Sequence, residues 1–270
     1  MSWARIMAPL SGGAGDEAVL AAGAALAAPF DAELAAVHAP ADVADLMPWM
    51  GEGFMGGVQI TAMDSLKEAA AEGQRAAEAA VAGCGYAKTR FVALETPVWA
   101  GLSMEGRLSD VVVFGDEAAR GRGPLAEAFQ QTVADEQRPT IVARPGLGVG
   151  GTVAVAWDGG KEASRAARTA QPLLEKAGRV VILCAPGASS RKFDGARLQA
   201  FLAERGVESE VEVIGGSGDA AHLLLAACER LGAGLLVAGA FGHPRLQEYI
   251  FGGTTRTLLN NDGPSLFLSH

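Results

Sequence analysis

Short apolar runs alternate with Ala-rich stretches of helical period from one end of this chain to the other. The first run covers residues 4–10, ends in a small-residue turn, and is followed by a helix pattern over about 16–28. Further runs at 32–38, 90–95 and 110–115, and a short last one at 139–144, are separated by helix patterns, including one over about 62–82. A second cycle begins at 152. Its apolar runs lie at 152–156, 179–184, 208–214, 234–239 and 264–269, with helix patterns over about 161–177 and 194–205. Strands buried on both faces read as continuous apolar runs, and strands alternating with helices imply right-handed crossovers onto a parallel sheet. The pattern therefore predicts α/β architecture in two copies at a period of about 145–150 residues. Residues 1–145 form one unit and 150–270 the other, with the Gly-rich stretch 144–151 as linker.

The longest break in the rhythm is 41–61, rich in Met, Gly and Trp. It predicts an apolar cover for the first unit or the unit interface, or else a lid or docking element. Glu68, Glu72 and Glu78 with Lys67 and Arg75 read as a solvated helix face.

Composition narrows the function. Of 270 residues, 49% are hydrophobic and 6% aromatic, and the formal net charge is −9. Residues 1–145 carry 10 Lys+Arg against 19 Asp+Glu, and residues 146–270 carry 12 against 12. The acidic first unit argues against nonspecific nucleic-acid binding, which needs a basic footprint, while the neutral second unit tolerates an anionic ligand. Cys84, Cys184 and Cys228 share no short spacing and read as buried hydrophobes in a reducing compartment. The first residues lack the apolar core of a signal peptide, and no apolar run reaches the length of a membrane span, so a soluble cytoplasmic protein is expected.

Candidate chemistry concentrates near the end. Gly239-Ala-Phe-Gly242 follows a buried strand; nine residues later Gly252-Gly253-Thr254-Thr255 opens a helix pattern, with Thr254 or Thr255 as its cap. Glycines there let the backbone approach a bulky anion, and a helix N-terminus attracts one. Ligands in such sheets sit beyond the strand C-termini, so this loop shares a site with the turn Trp157-Asp158-Gly159-Gly160.

These residues resemble the universal stress protein family in its tandem two-domain form. Its nucleotide-binding members carry Gly-x-x-Gly, nine residues, then Gly with Ser or Thr, matched by Gly239, Gly242 and Gly252, and an Asp after strand one, matched by Asp158. The ending Phe-Gly-Gly-x-Thr-Arg of tandem members is matched by 251–256. The resemblance implies two flavodoxin-like (adenine nucleotide alpha hydrolase-like) domains, each a five-stranded parallel sheet flanked by helices. Dimers or pseudo-dimers through the last strands are implied as well. It also implies ATP, ADP or AMP, with Mg, as ligand. On that reading Asp158 bonds the ribose or adenine edge and Gly239 and Gly242 line the phosphate channel. Gly252, Gly253, Thr254 and Thr255 then hold the distal phosphates. Gly253 departs from the family's Ser or Thr, removing one hydroxyl. Asp116 and Glu117 stand in the equivalent loop of the first unit, where like charge opposes phosphate, and Asp is missing from its first turn, so that site reads as degenerate.

The expected function is a stress-response protein acting by binding rather than turnover. The alternatives are a ligand-free scaffold with a structural glycine loop and a slow ATP hydrolase. Ser11-Gly12-Gly13-Ala-Gly-Asp16 is similar to the phosphate loop of PP-loop pyrophosphatases, with the Asp displaced by one residue. His38, His222, His243 and His270 show no metal-ligand spacing, no nucleophile motif is present, and His243, Arg245 and Arg256 are left as phosphate contacts or solvated residues. Whether two chains associate further stays open.

Overall fold

The computed structural model describes residues 2–39, 56–94, 98–184, 194–215, 218–240 and 253–270. In the first half the strands are β1 (Arg5–Leu10), β2 (Glu33–His38), β3 (Thr89–Ala93), β4 (Val111–Gly115) and β5 (Thr140–Ala143). The second half supplies β6 (Thr152–Ala156), β7 (Arg179–Cys184), β8 (Glu210–Val213), β9 (Ala233–Gly239) and β10 (Ser265–Ser269). The helices between them are α1 (Asp16–Ala27), α2 (Gly56–Gly83), α3 (Val98–Arg107), α4 (Asp116–Ala119) and α5 (Ala126–Ala134) in the first half. In the second they are α6 (Lys161–Thr169), α7 (Gln171–Leu174), α8 (Gly195–Ala203), α9 (Ala220–Leu231) and α10 (Gly253–Asn260).

All strands join one ten-stranded sheet in the order β3-β2-β1-β4-β5-β10-β9-β6-β7-β8. Pairing is parallel inside each half and antiparallel only at the seam, where Val142, Ile141 and Thr140 face Leu266, Phe267 and Leu268. The two copies of the plan thus meet through their last strands. Apolar runs are continuous because both sheet faces are covered. One face holds Leu20, Leu26, Leu173, Leu198 and Phe267; the other holds Phe129, Val133, Leu224, Cys228 and Leu258. Trp3 is 5% exposed and lies parallel to Phe267 at 6.3 Å, filling the first face over the seam.

Several boundaries differ from the sequence pattern. The 161–177 stretch is two helices, because Pro172 occupies the first turn of α7 and has no N–H to continue α6. Helix α2 begins at Gly56, so the end of the 41–61 segment is helical and the rest lies outside the described residues. Arg144, assigned to the linker, is 8% exposed and anchored across the seam. Burial pushes the Cys228 thiol up to about 12 and the Cys184 thiol also upward. Both are raised by burial, as for packed thiols, and no cluster of metal-ligating side chains occurs among the described residues. No helix among them is long and apolar enough to cross a membrane.

Candidate functional site

Each half has a place where the chain leaves two neighbouring strands in opposite directions: between β1 and β4, and between β6 and β9. The crevice beyond those strand ends is where an open α/β sheet accepts a ligand. In the second half Asp158 stands just past β6 and is exposed. Its Oδ1 accepts the Gly160 N–H at 2.7 Å, a local turn completed by Gly159 at φ 73°. That bond fixes the carboxylate at the mouth of the crevice.

Gly239 ends β9 on the other side. A Cβ there would lie 2.6 Å from the Ala163 nitrogen and 2.6 Å from the Glu162 carbonyl carbon, so helix–strand packing requires this glycine whether or not a ligand binds. Gly242, Gly252, His243 and Arg245 lie outside the described residues. Gly253, Thr254 and Thr255 form the first turn of α10, so the threonines are inside the helix and neither is its cap. Thr254 is exposed, Thr255 is 5% exposed, and Arg256 faces solvent. Because β9 and β10 are parallel, α10 starts at the C-terminal edge of the sheet, beside the crevice. The first N–H groups of a helix have no partner within it.

Glu162 escaped the sequence reading, since an acidic residue in a first helical turn is commonplace. It is 7% exposed and packs under Gly239; Lys161 Nζ lies 3.2 Å from its Oε1, which accepts no hydrogen bond.

The first half serves as an internal control. Gly12 (φ 76°) corresponds to Gly159 (φ 73°), which sets Ser11 opposite Asp158 and Asp16 opposite Ala163. Ser11 Oγ accepts the Gly13 N–H at 3.1 Å, the hydroxyl version of the Asp158 turn. Asp16, 3% exposed, then fills this turn from within. Its carboxylate accepts the Ser11 N–H and the Ser11 hydroxyl at 2.9 Å and the Gly12 N–H at 2.8 Å. The donors that would make a phosphate loop of Ser-Gly-Gly already hold an anion. At Ala163 no such carboxylate exists. We expect Asp16→Ala to cost about 3 kcal/mol, since two half-buried N–H groups and a hydroxyl lose the buried carboxylate that accepts from them. A urea titration reading a loss below about 1 kcal/mol would contradict the assignment.

Asp116 also differs from expectation. It does not stand as a free charge: Arg120 Nε lies at 2.5 Å and Arg144 Nε at 2.6 Å from its two oxygens. Arg144 continues to the carbonyls of Leu258, Leu259 and Pro264, each at 3.1 Å. Arg120 reaches the Asn260 carbonyl at 3.1 Å and Asp262 at 2.7 Å. The loop that reads as phosphate repulsion is a tie to the C-terminal end of α10, whose dipole favours cations. Glu117 is exposed. A cavity of about 820 Å³ opens beside this loop, between alanines of α1, Leu125 and Leu147. Its would-be phosphate donors are those that Asp16 occupies.

No protein-family model matches the chain, and no curated protein matches it in sequence. Solved structures do match. A universal stress protein from Archaeoglobus fulgidus DSM 4304 superposes at TM-score 0.69 and 14% identity, over 98% of this chain and 95% of that one. The fold is that of a tandem universal stress protein. A functionally unknown protein from Pseudomonas aeruginosa PAO1 matches at TM-score 0.54 and 14% identity, over 99% of this chain and 92% of its own. A candidate universal stress protein from Pseudomonas aeruginosa UCBPP-PA14 matches at 0.54 and 16%, over 99% and 93%. At these identities the universal stress protein likeness is one of fold, and site roles rest on the residues themselves.

Proposed function

We propose that this chain is a stress-response protein of the universal stress protein type that binds one adenine nucleotide, ATP, ADP or AMP, and acts by occupancy. Residues 150–270 form the binding domain and 1–145 its nucleotide-free partner, in a reducing cytoplasmic setting. The observation that carries this reading is the asymmetry of the two first turns. Asp16 fills one by accepting its N–H groups, whereas in the other Ala163 takes the place of Asp16 and the buried Glu162 beside it packs under Gly239. In this reading Asp158 accepts from the ribose or adenine edge through its oxygen not spent on Gly160. Gly252, with the first N–H groups of α10 at Gly253, Thr254 and Thr255, takes the phosphates, accompanied by Mg. The tie of Asp116 and Arg144 to the far end of α10 supports the same reading, because it holds the helix that points at the ligand.

Calorimetric titration with Mg-ATP, ADP and AMP tests it. Asp158→Ala should weaken binding about tenfold or more, the scale of one hydrogen bond to a charged group. No heat from the native chain at millimolar nucleotide contradicts the function, and unchanged binding in Asp158→Ala contradicts the site.

A further inference from the structure

A recessed surface of the second half lies on the other side of the Asp158 turn from α10. Between α6 and α8, on the sheet face away from α10, lies a cleft of about 280 Å³. Trp157, Gly159, Leu198 and Phe201 form its apolar lining, and Arg168 and Arg197 stand among them. The aromatic rings are held in place. Trp157 Nε1 donates to the Asp194 carbonyl at 3.2 Å, and the Arg205 guanidinium lies 3.6 Å from the centre of the Phe201 ring.

The exposed side of α6 beside it is cationic, in a chain that carries −9 overall. Lys161, Arg165 and Arg168 follow one another along the exposed side of α6, and no carboxylate among the described residues pairs with Arg168. Asp158 holds the Gly160 N–H at 2.7 Å, Asp194 holds the Arg197 N–H at 3.2 Å, and Glu204 lies 3.6 Å from the Arg205 guanidinium. Glu162 is buried and faces Lys161 at 3.2 Å.

The first half shows that the fold does not require this cleft. Counting from the paired glycines, Leu10 stands for Trp157 and Ala21 for Arg168. There α2 closes the space, its Gly73 backbone lying 2.6 Å from where a Gly12 Cβ would be. In the second half Gly159 lines the cleft, and the facing helix α8 is only nine residues long.

We propose that the α6–α8 cleft binds a small planar aromatic anion, its ring against Trp157 and Phe201 and its carboxylate on Arg168. A volume at the lower end of small-molecule pockets suits one or two fused rings, and guanidinium matches a carboxylate in plane. The cleft adjoins the proposed nucleotide site through Trp157 and Gly159 but uses neither Asp158 nor α10.

Titration calorimetry of the full chain with naphthalene-2-carboxylate tests it, with and without saturating Mg-ATP. One saturable site is expected, unaffected by Mg-ATP, with the neutral naphthalene-2-carboxamide at least about tenfold weaker. Arg168→Ala and Trp157→Leu, the latter installing the first half's residue, should each weaken the carboxylate about tenfold while circular dichroism stays native. Absence of saturable binding at millimolar ligand would overturn the proposal. So would equal affinity for the amide, unchanged affinity in both folded variants, or displacement by Mg-ATP.

Discussion

Gly239→Ala is expected to cost about 3 kcal/mol, because the added methyl meets main chain on both sides. Its carbon would lie 2.6 Å from the Ala163 nitrogen and from the Glu162 carbonyl carbon, atoms fixed in the first turn of α6. That turn cannot retreat without carrying α6 off β9 and β10. The pseudo-symmetric Gly115→Ala is the control. There the new carbon meets only the Val19 Cγ2 at 3.2 Å, the end of a side chain, and about 1 kcal/mol or less is expected. Urea unfolding of both variants measures the difference. Equal losses would show that helix packing is not what requires glycine at 239. The consequence for function is practical: weakened nucleotide binding in Gly239→Ala alone is no proof of phosphate contact, and Asp158→Ala is read together with its circular dichroism because Asp158 also holds the Gly160 N–H.

Arg144→Ala should be the most damaging single change at the seam, at about 3–5 kcal/mol. The guanidinium has a side-chain exposure of 4% and joins Asp116 to the carbonyls of Leu258, Leu259 and Pro264. Its loss strands buried acceptors from both halves at once. Its main chain is tied as well, the Arg144 N–H donating to Ser265 Oγ at 3.0 Å. Arg144→Lys should recover little, since an ammonium cannot address four acceptors in one plane. Asp262→Ala, by contrast, removes a partner that is 99% exposed and should change stability by well under 1 kcal/mol. Hydrogen exchange on β5 and β10 reports where the Arg144 variant opens. Protection retained along the antiparallel pairs, with no loss of stability, would refute the clamp.

Architecture was legible because each strand writes its burial into sequence. Runs such as Val111–Gly115 and Ala233–Gly239 are apolar throughout when both sheet faces are covered. The turn at Asp158 was legible too, since an Asp before two glycines closes locally. What stayed hidden depends on partners distant in the chain or on direction. Ser11-Gly12-Gly13 has the residue types of a phosphate loop, and only the folded turn shows Asp16 directed back into it. Asp116 reads as free charge until Arg144 and α10 fold beside it. Gly239 fits a phosphate channel by spacing, yet the atoms that demand it belong to α6. Thr254 and Thr255 look like caps, but α10 already includes Gly253.

The claim at the centre is one nucleotide per chain, held in the second half. Photolabelling with 8-azido-ATP, followed by peptide mapping and native mass measurement, tests it directly. One label per chain, confined to residues 150–270 and competed by Mg-ATP, is the expected result. Two labels, or competed label within 1–145, would contradict it.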